Sequence, residues 1–156
     1  MGFWQRLIGG GPLARKDPQD LLPELLASYA EEARLARQIH AHADQAPHQA
    51  GAQRLRAVAE EQDRVVRLLG DKIAVLGGTG RDNTGTLETG KNHWTRVVQD
   101  IEENHALERH YNKQMAYWDP DLPDAAELFH ALDQEKIRIN ALLRDIALRA
   151  DPHALD

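Results

Sequence analysis

Four segments of this chain repeat apolar residues at three- and four-residue spacing, and only one of their three connections is long. The first carries Leu22, Leu25, Tyr29, Ala36, Ile39 and Ala43; the second carries Leu55, Val58, Val65, Leu69, Ile73 and Leu76. The third carries Trp94, Val97, Ile101, Tyr111, Met115 and Trp118; the fourth carries Leu128, Leu132, Ile139, Leu142 and Ile146. Such spacing marks amphipathic helices, and a helix with one apolar stripe must bury it against another element. Asp17-Pro18 supplies a helix start with proline in the first turn. Pro47 ends one helix and begins the next, and Asp119 to Pro123 forms a rigid turn, so each of these pairs is antiparallel. Gly77-Gly78 stops the second helix, and the Gly/Thr/Asn-rich stretch 79–90 is a loop long enough to run the length of a bundle. The fold class predicted is all-α, an antiparallel four-helix bundle with one crossover between the second and third helices.

Composition agrees with that class. Ala, Leu, Arg and Glu dominate the 156 residues and aromatics are few, which favours helix over strand. A net charge of −6 leaves no basic face for nucleic acid. With no cysteine, disulfides, thiolate metal sites and cysteine catalysis are excluded, and a cytoplasmic location is expected. No apolar run reaches the roughly 20 residues needed to span a bilayer. Residues 17–152 are taken as the bundle domain and residues 1–16 as a separate amino-terminal segment. That segment holds Phe3, Trp4, Leu7 and Ile8 before Gly9-Gly10-Gly11-Pro12, and carries no acidic residue ahead of Asp17. Either Phe3, Trp4 and Leu7 fold over a bundle end or fray, or the segment touches a membrane surface through all four side chains.

Each stripe is interrupted near its middle by a polar residue: Glu32, Gln62, Asn104 and Glu135. Counted from the two short turns at about 1.5 Å per residue, the four fall at matching depths. Buried carboxylates need a cation or hydrogen-bond donors. The runs Ala59-Glu60-Glu61-Gln62-Asp63, Asp100-Ile101-Glu102-Glu103-Asn104 and Leu132-Asp133-Gln134-Glu135-Lys136-Ile137-Arg138-Ile139 resemble the second, third and fourth helices of the ferritin-like superfamily, nearest to its bacterioferritin and rubrerythrin-type members. The resemblance covers roughly residues 18–150, with Glu32 opening the stretch that resembles the first helix. It implies a di-iron site built from Glu on the first helix, Glu-x-x-His on the second, Glu on the third and Glu-x-x-His on the fourth.

Carried over residue by residue, Glu32 and Glu135 match family ligands, but Arg138 stands where the fourth helix has histidine. The second helix offers Gln62 and Val65 in one register or Glu61 and Arg64 in the other; the third offers Asn104 or Glu103. Both metal-binding histidines are missing in every register. The expectation is therefore a polar layer of Glu32, Gln62, Asn104, Glu135 and Arg138 that has lost its di-iron centre, with no cofactor and no catalytic residue. Arg138 either neutralises Glu32 and Glu135 in place of the metal or reaches solvent at the helix edge. If a metal binds at all, iron or another divalent ion would use Glu32 and Glu135, or less favourably Glu61 and Glu103. The implied function is a non-catalytic homo-oligomer of iron- or oxidative-stress-related lineage. The alternatives are a metal-binding protein or weak oxidase with an unusual carboxylate site, and a membrane-surface adaptor acting through residues 1–8.

Two literal Glu-x-x-His strings, Glu102 to His105 and Glu127 to His130, differ in height by roughly 10 Å and are expected on the surface. His40 is expected to face the interior beside Ile39.

Overall fold

The computed structural model describes residues 16–87 and 90–156. Expectations placed on Phe3, Trp4, Leu7 and Ile8 lie outside these residues. A 3-10 turn, Pro18–Asp20, leads into α1 (Leu21–Gln45), followed by α2 (Gln49–Val75), α3 (His93–Trp118) and α4 (Pro123–Arg149). The four-helix antiparallel bundle with one long crossover is the predicted architecture.

Local chemistry sets the ends of these helices. Asp17 accepts from the Gln19 amide at 2.8 Å while Asp20 accepts from the Asp17 amide at 2.9 Å, a reciprocal cap on the entry turn. Asn92 and Thr95 cap α3 in the same way, at 2.8 and 3.0 Å. α2 ends where Gly77 adopts φ +81°, its amide bonding the Ala74 carbonyl at 3.0 Å and the Gly78 amide bonding the Ile73 carbonyl at 3.0 Å. This is the six-to-one and five-to-two pattern that satisfies the last carbonyls of a helix, and only glycine enters that left-handed position without strain. The crossover then lies along the outer face of α1. Arg37 reaches Asp82 at 3.1 Å and the Asn83 carbonyl at 2.8 Å, and the Asn83 amide group donates to Glu31 at 2.9 Å. Gly80 passes so close to Tyr29 that an added Cβ would stand 2.7 Å from the ring, so the crossing needs glycine there too.

α1 pairs with α2 and α3 with α4; the two hairpins meet through α1 on α3 and α2 on α4. The buried series of α1 is Leu21, Leu25, Ser28, Glu32, Leu35, Ile39 and His42, alternating by four and three. That of α4 is Phe129, Leu132, Lys136, Ile139, Leu143 and Ile146, alternating by three and four. Both are seven-residue repeats, the pattern of a bundle seam. No helix among the described residues is long and apolar enough to cross a membrane.

The α4 series corrects its predicted register. Leu132, Ile139 and Ile146 belong to two interleaved stripes, one completed by Leu128 and Leu142 and the other by Phe129 and Leu143. The bundle buries the second: Phe129 and Leu143 are fully enclosed, whereas Leu142 is exposed. One residue of shift is about 100° of rotation. It moves Glu135 off the seam and brings Lys136 onto it.

Candidate functional site

The mid-bundle layer is a closed polar network of four completely buried side chains, one from each helix: Glu32, Gln62, Tyr111 and Lys136. Glu32 is its hub. Its Oε1 accepts from the Tyr111 hydroxyl at 2.6 Å, and its Oε2 accepts from both the Lys136 ammonium and the Gln62 amide nitrogen. Lys136 also donates to Gln62 Oε1 at 2.8 Å, and Gln62 Nε2 to the Glu32 backbone carbonyl at 3.0 Å. The Glu32–Lys136 pair thus has every carboxylate oxygen engaged, which is the condition under which a charge pair survives in a core. Loss of hydration pulls the Lys136 ammonium below the usual lysine range, and the Glu32 carboxylate opposes that shift. Burial first, and the Glu32 charge second, push the Tyr111 phenol well above its ordinary value, so it serves as a hydrogen-bond donor.

Glu32 and Gln62 are where the sequence places them. Asn104 is also buried, but its amide donates to the Lys136 backbone carbonyl at 2.9 Å rather than to the carboxylate. Glu135 and Arg138 do not join the layer. Arg138 bonds Glu61 at 2.7 Å and also Glu135, with 42, 26 and 31% of the three side chains exposed. Both carboxylates, Glu61 first, raise the Arg138 guanidinium; its hydrogen bond in turn holds Glu61 below the usual carboxylate range. Protein charge does sit against Glu32, but Lys136 supplies it and not Arg138. Arg138→Ala is accordingly expected to lose less than about 1 kcal/mol in urea unfolding at neutral pH, the scale of a surface ion pair. A loss above about 2 kcal/mol would contradict its placement.

Glu103, the alternative to Asn104, is half-buried in a second polar layer nearer the α1–α2 turn. There Asp100 accepts from the Gln38 amide at 2.8 Å and lies 2.8 Å from His42 Nδ1, all three side chains being buried. Gln38 also donates to Glu103 at 2.9 Å, and Arg34 reaches Glu103 at 3.1 Å. Burial raises the Asp100 carboxyl, against the lowering effect of His42 and Gln38. His42, not His40, is the interior histidine; His40 is half-exposed and lies 2.9 Å from Asp63. Glu102, Glu127 and His130 are exposed, and His105 lies 3.0 Å from Glu108, so the two Glu-x-x-His strings share no site.

Lys136, Tyr111, His42 and Asp100 are the site residues that reasoning from the apolar stripes missed or read only as packing. The signal was present. Lys136 falls midway between Leu132 and Ile139 once Phe129 and Leu143 define the stripe, and His42 falls three residues beyond Ile39.

The donor set does not fit a di-iron centre. The mid-bundle layer offers one carboxylate, no imidazole, and an ammonium group in direct contact with that carboxylate. Among the described residues, no group of three or more His, Asp or Glu side chains is arranged to hold a metal ion.

No protein-family model matches the chain, and no curated protein matches it in sequence. Solved structures do. A dodecameric thioferritin, the bacterioferritin-related protein of Bacteroides fragilis, aligns with a TM-score of 0.73 at 16% identity, covering 86% of this chain and 88% of that one. Dps from Thermosynechococcus elongatus aligns with a TM-score of 0.61 at 14% identity, covering 88% of this chain and 98% of the other. Nearly the whole length of each neighbour is matched at identities that speak to architecture alone, and the chain has the ferritin-like four-helix fold.

Proposed function

We propose that this protein is a ferritin-like bundle that works without a di-iron centre, the Lys136 ammonium occupying the place of the metal beside Glu32. One observation carries this reading: the ammonium, fully enclosed, touches both Glu32 and Gln62. A metal ion entering the layer would have to displace a cation already paired and would find a single carboxylate to bind it. The protein is then a non-catalytic, self-associating member of an iron- or oxidative-stress-related lineage, acting in the cytoplasm. Association is supported by its likeness to the dodecameric thioferritin. It is also supported by Ile137 and Leu148, exposed apolar residues eleven positions apart and hence on one outer face of α4.

The test is anaerobic loading with ferrous iron, removal of free metal, and measurement of retained iron, with molar mass by light scattering on the same sample. The expected result is a multimer that retains no iron dependent on Glu32. One or two irons per chain, lost in Glu32→Gln, would establish instead a metal-binding protein with an unusual carboxylate site.

A further inference from the structure

The bundle end at the α1–α2 turn holds a cavity of about 310 Å³, lined by none of the mid-bundle polar residues. The starts of α2 and α3, the end of α4 and the segment 151–156 enclose it. Pro47, Ala50, Ile146, Ala150 and Ala154 give it an apolar wall, and His93 and Asp156 supply polar groups. A largely apolar lining with a few polar groups is the usual character of a small-molecule site.

Asp156 stands between this cavity and a buried cation. Arg96 is 4% exposed; its Nη1 donates to the Gly90 carbonyl at 3.4 Å and its Nη2 to the Gln45 carbonyl at 3.2 Å, which fixes the guanidinium in place. Nη2 also donates to Asp156 Oδ2, and the His93 amide donates to Oδ1 at 3.2 Å. The pairing is incomplete, because Arg96 Nε is buried with no hydrogen-bond partner. Nε and Nη2 form the side-on edge of a guanidinium, which can bind both oxygens of one carboxylate. Asp156 uses half of that edge.

The segment that carries Asp156 is lightly held. All of residues 151–156 are exposed, and the Asn92 amide group secures them through the Pro152 and Ala154 carbonyls at 3.1 and 3.0 Å. Little apolar burial therefore opposes lifting the segment, whereas a buried guanidinium left without an anion is costly. Of the other charged residues in the lining, Arg149 is paired with Asp145 at 3.2 Å and Arg54 offsets Asp151. Arg96 is thus the cation that sets the charge of an occupant.

We propose that this cavity binds a small organic monocarboxylate, its carboxylate taking Arg96 Nε and Nη2 in place of Asp156, its hydrocarbon lying on the apolar wall, and segment 151–156 lifting as a lid. Asp156 is then a tethered competitor that holds the buried cation when the ligand is absent.

Titration of the isotope-labelled full-length protein with hexanoate, followed by NMR, tests this. The Arg96 Nε–H and His93 amide signals should shift saturably, while the Leu155 and Asp156 amides move to unstructured positions. Hexanol, which has the chain without the charge, and inorganic phosphate, which has charge without the chain, should bind at least about tenfold more weakly. Asp156→Asn removes the competitor and should tighten hexanoate at least about tenfold. The wild-type titration decides the matter even if the variant fails to fold: unchanged Arg96 and His93 signals at saturating hexanoate would overturn the proposal. Equal binding of hexanol would overturn the role of Arg96, and equal binding of phosphate would leave a bare anion site in its place. Equal hexanoate affinity in the wild type and a folded Asp156→Asn variant would show that the ligand does not displace Asp156, and would overturn it as well.

Discussion

Lys136→Met is expected to lose about 3–5 kcal/mol of stability at neutral pH, the range seen when one partner of a buried ion pair is removed. The substitution keeps most of the side-chain volume, so the loss reports charge and hydrogen bonding more than a cavity. Glu32 keeps its bonds from Tyr111 and Gln62 but no longer has a cation. In the variant, burial acts on the carboxylate without an opposing positive charge and favours its neutral form. A folded state that favours the neutral carboxyl gains stability relative to the unfolded chain as pH falls. The deficit against the parent should therefore shrink on acidification. Glu32→Gln strands the ammonium and should also be severe, whereas the double variant should be less damaged than the two losses added together. Urea unfolding at pH 7 and pH 5 checks all three. A Lys136→Met loss below about 1 kcal/mol would remove Lys136 from the centre of the layer.

Phe129→Ala is expected to lose about 3–5 kcal/mol, while its neighbour Leu128→Ala loses less than about 2. The difference arises from one residue of helix register. Phe129 is fully buried, its ring centre 6.0 Å from that of Tyr111, so truncation opens a cavity against the side chain that holds Glu32. Leu128 only partly packs on the core, at the edge of an open groove between the start of α1, the end of α2 and the start of α4. Equal losses, or a larger loss at Leu128, would mean that α4 presents the face carrying Glu135 to the interior. The two measurements together thus decide which charged residue of α4 faces Glu32, without reference to metal.

Helix number, pairing and crossover were legible in the sequence because they follow from local chemistry. Pro18, Pro47 and Pro123 mark starts, the Gly77-Gly78 stop ends α2, and a stretch without apolar residues has no stripe to bury. Glu32 and Gln62 were legible as interruptions of their apolar stripes, although a second register, with Glu61 and Arg64, stayed open on α2 until the structure buried Gln62 and left Arg64 exposed. The fourth helix was different. Its apolar pairs Leu128-Phe129 and Leu142-Leu143 support two phases about 100° apart, and nothing within the helix chooses between them. The choice belongs to the other three helices: Tyr111 directs its hydroxyl at Glu32, Phe129 packs beside Tyr111, and the rotation that seats Phe129 carries Lys136 inward. A charge pair between residues 104 positions apart is likewise beyond any local pattern. The sequence by itself determined that a carboxylate would be buried at mid-bundle and would need a cation or hydrogen-bond donors. Only tertiary packing decided which cation, because a helix can be turned by one residue at little local cost while the interior it faces accepts a single set of side chains.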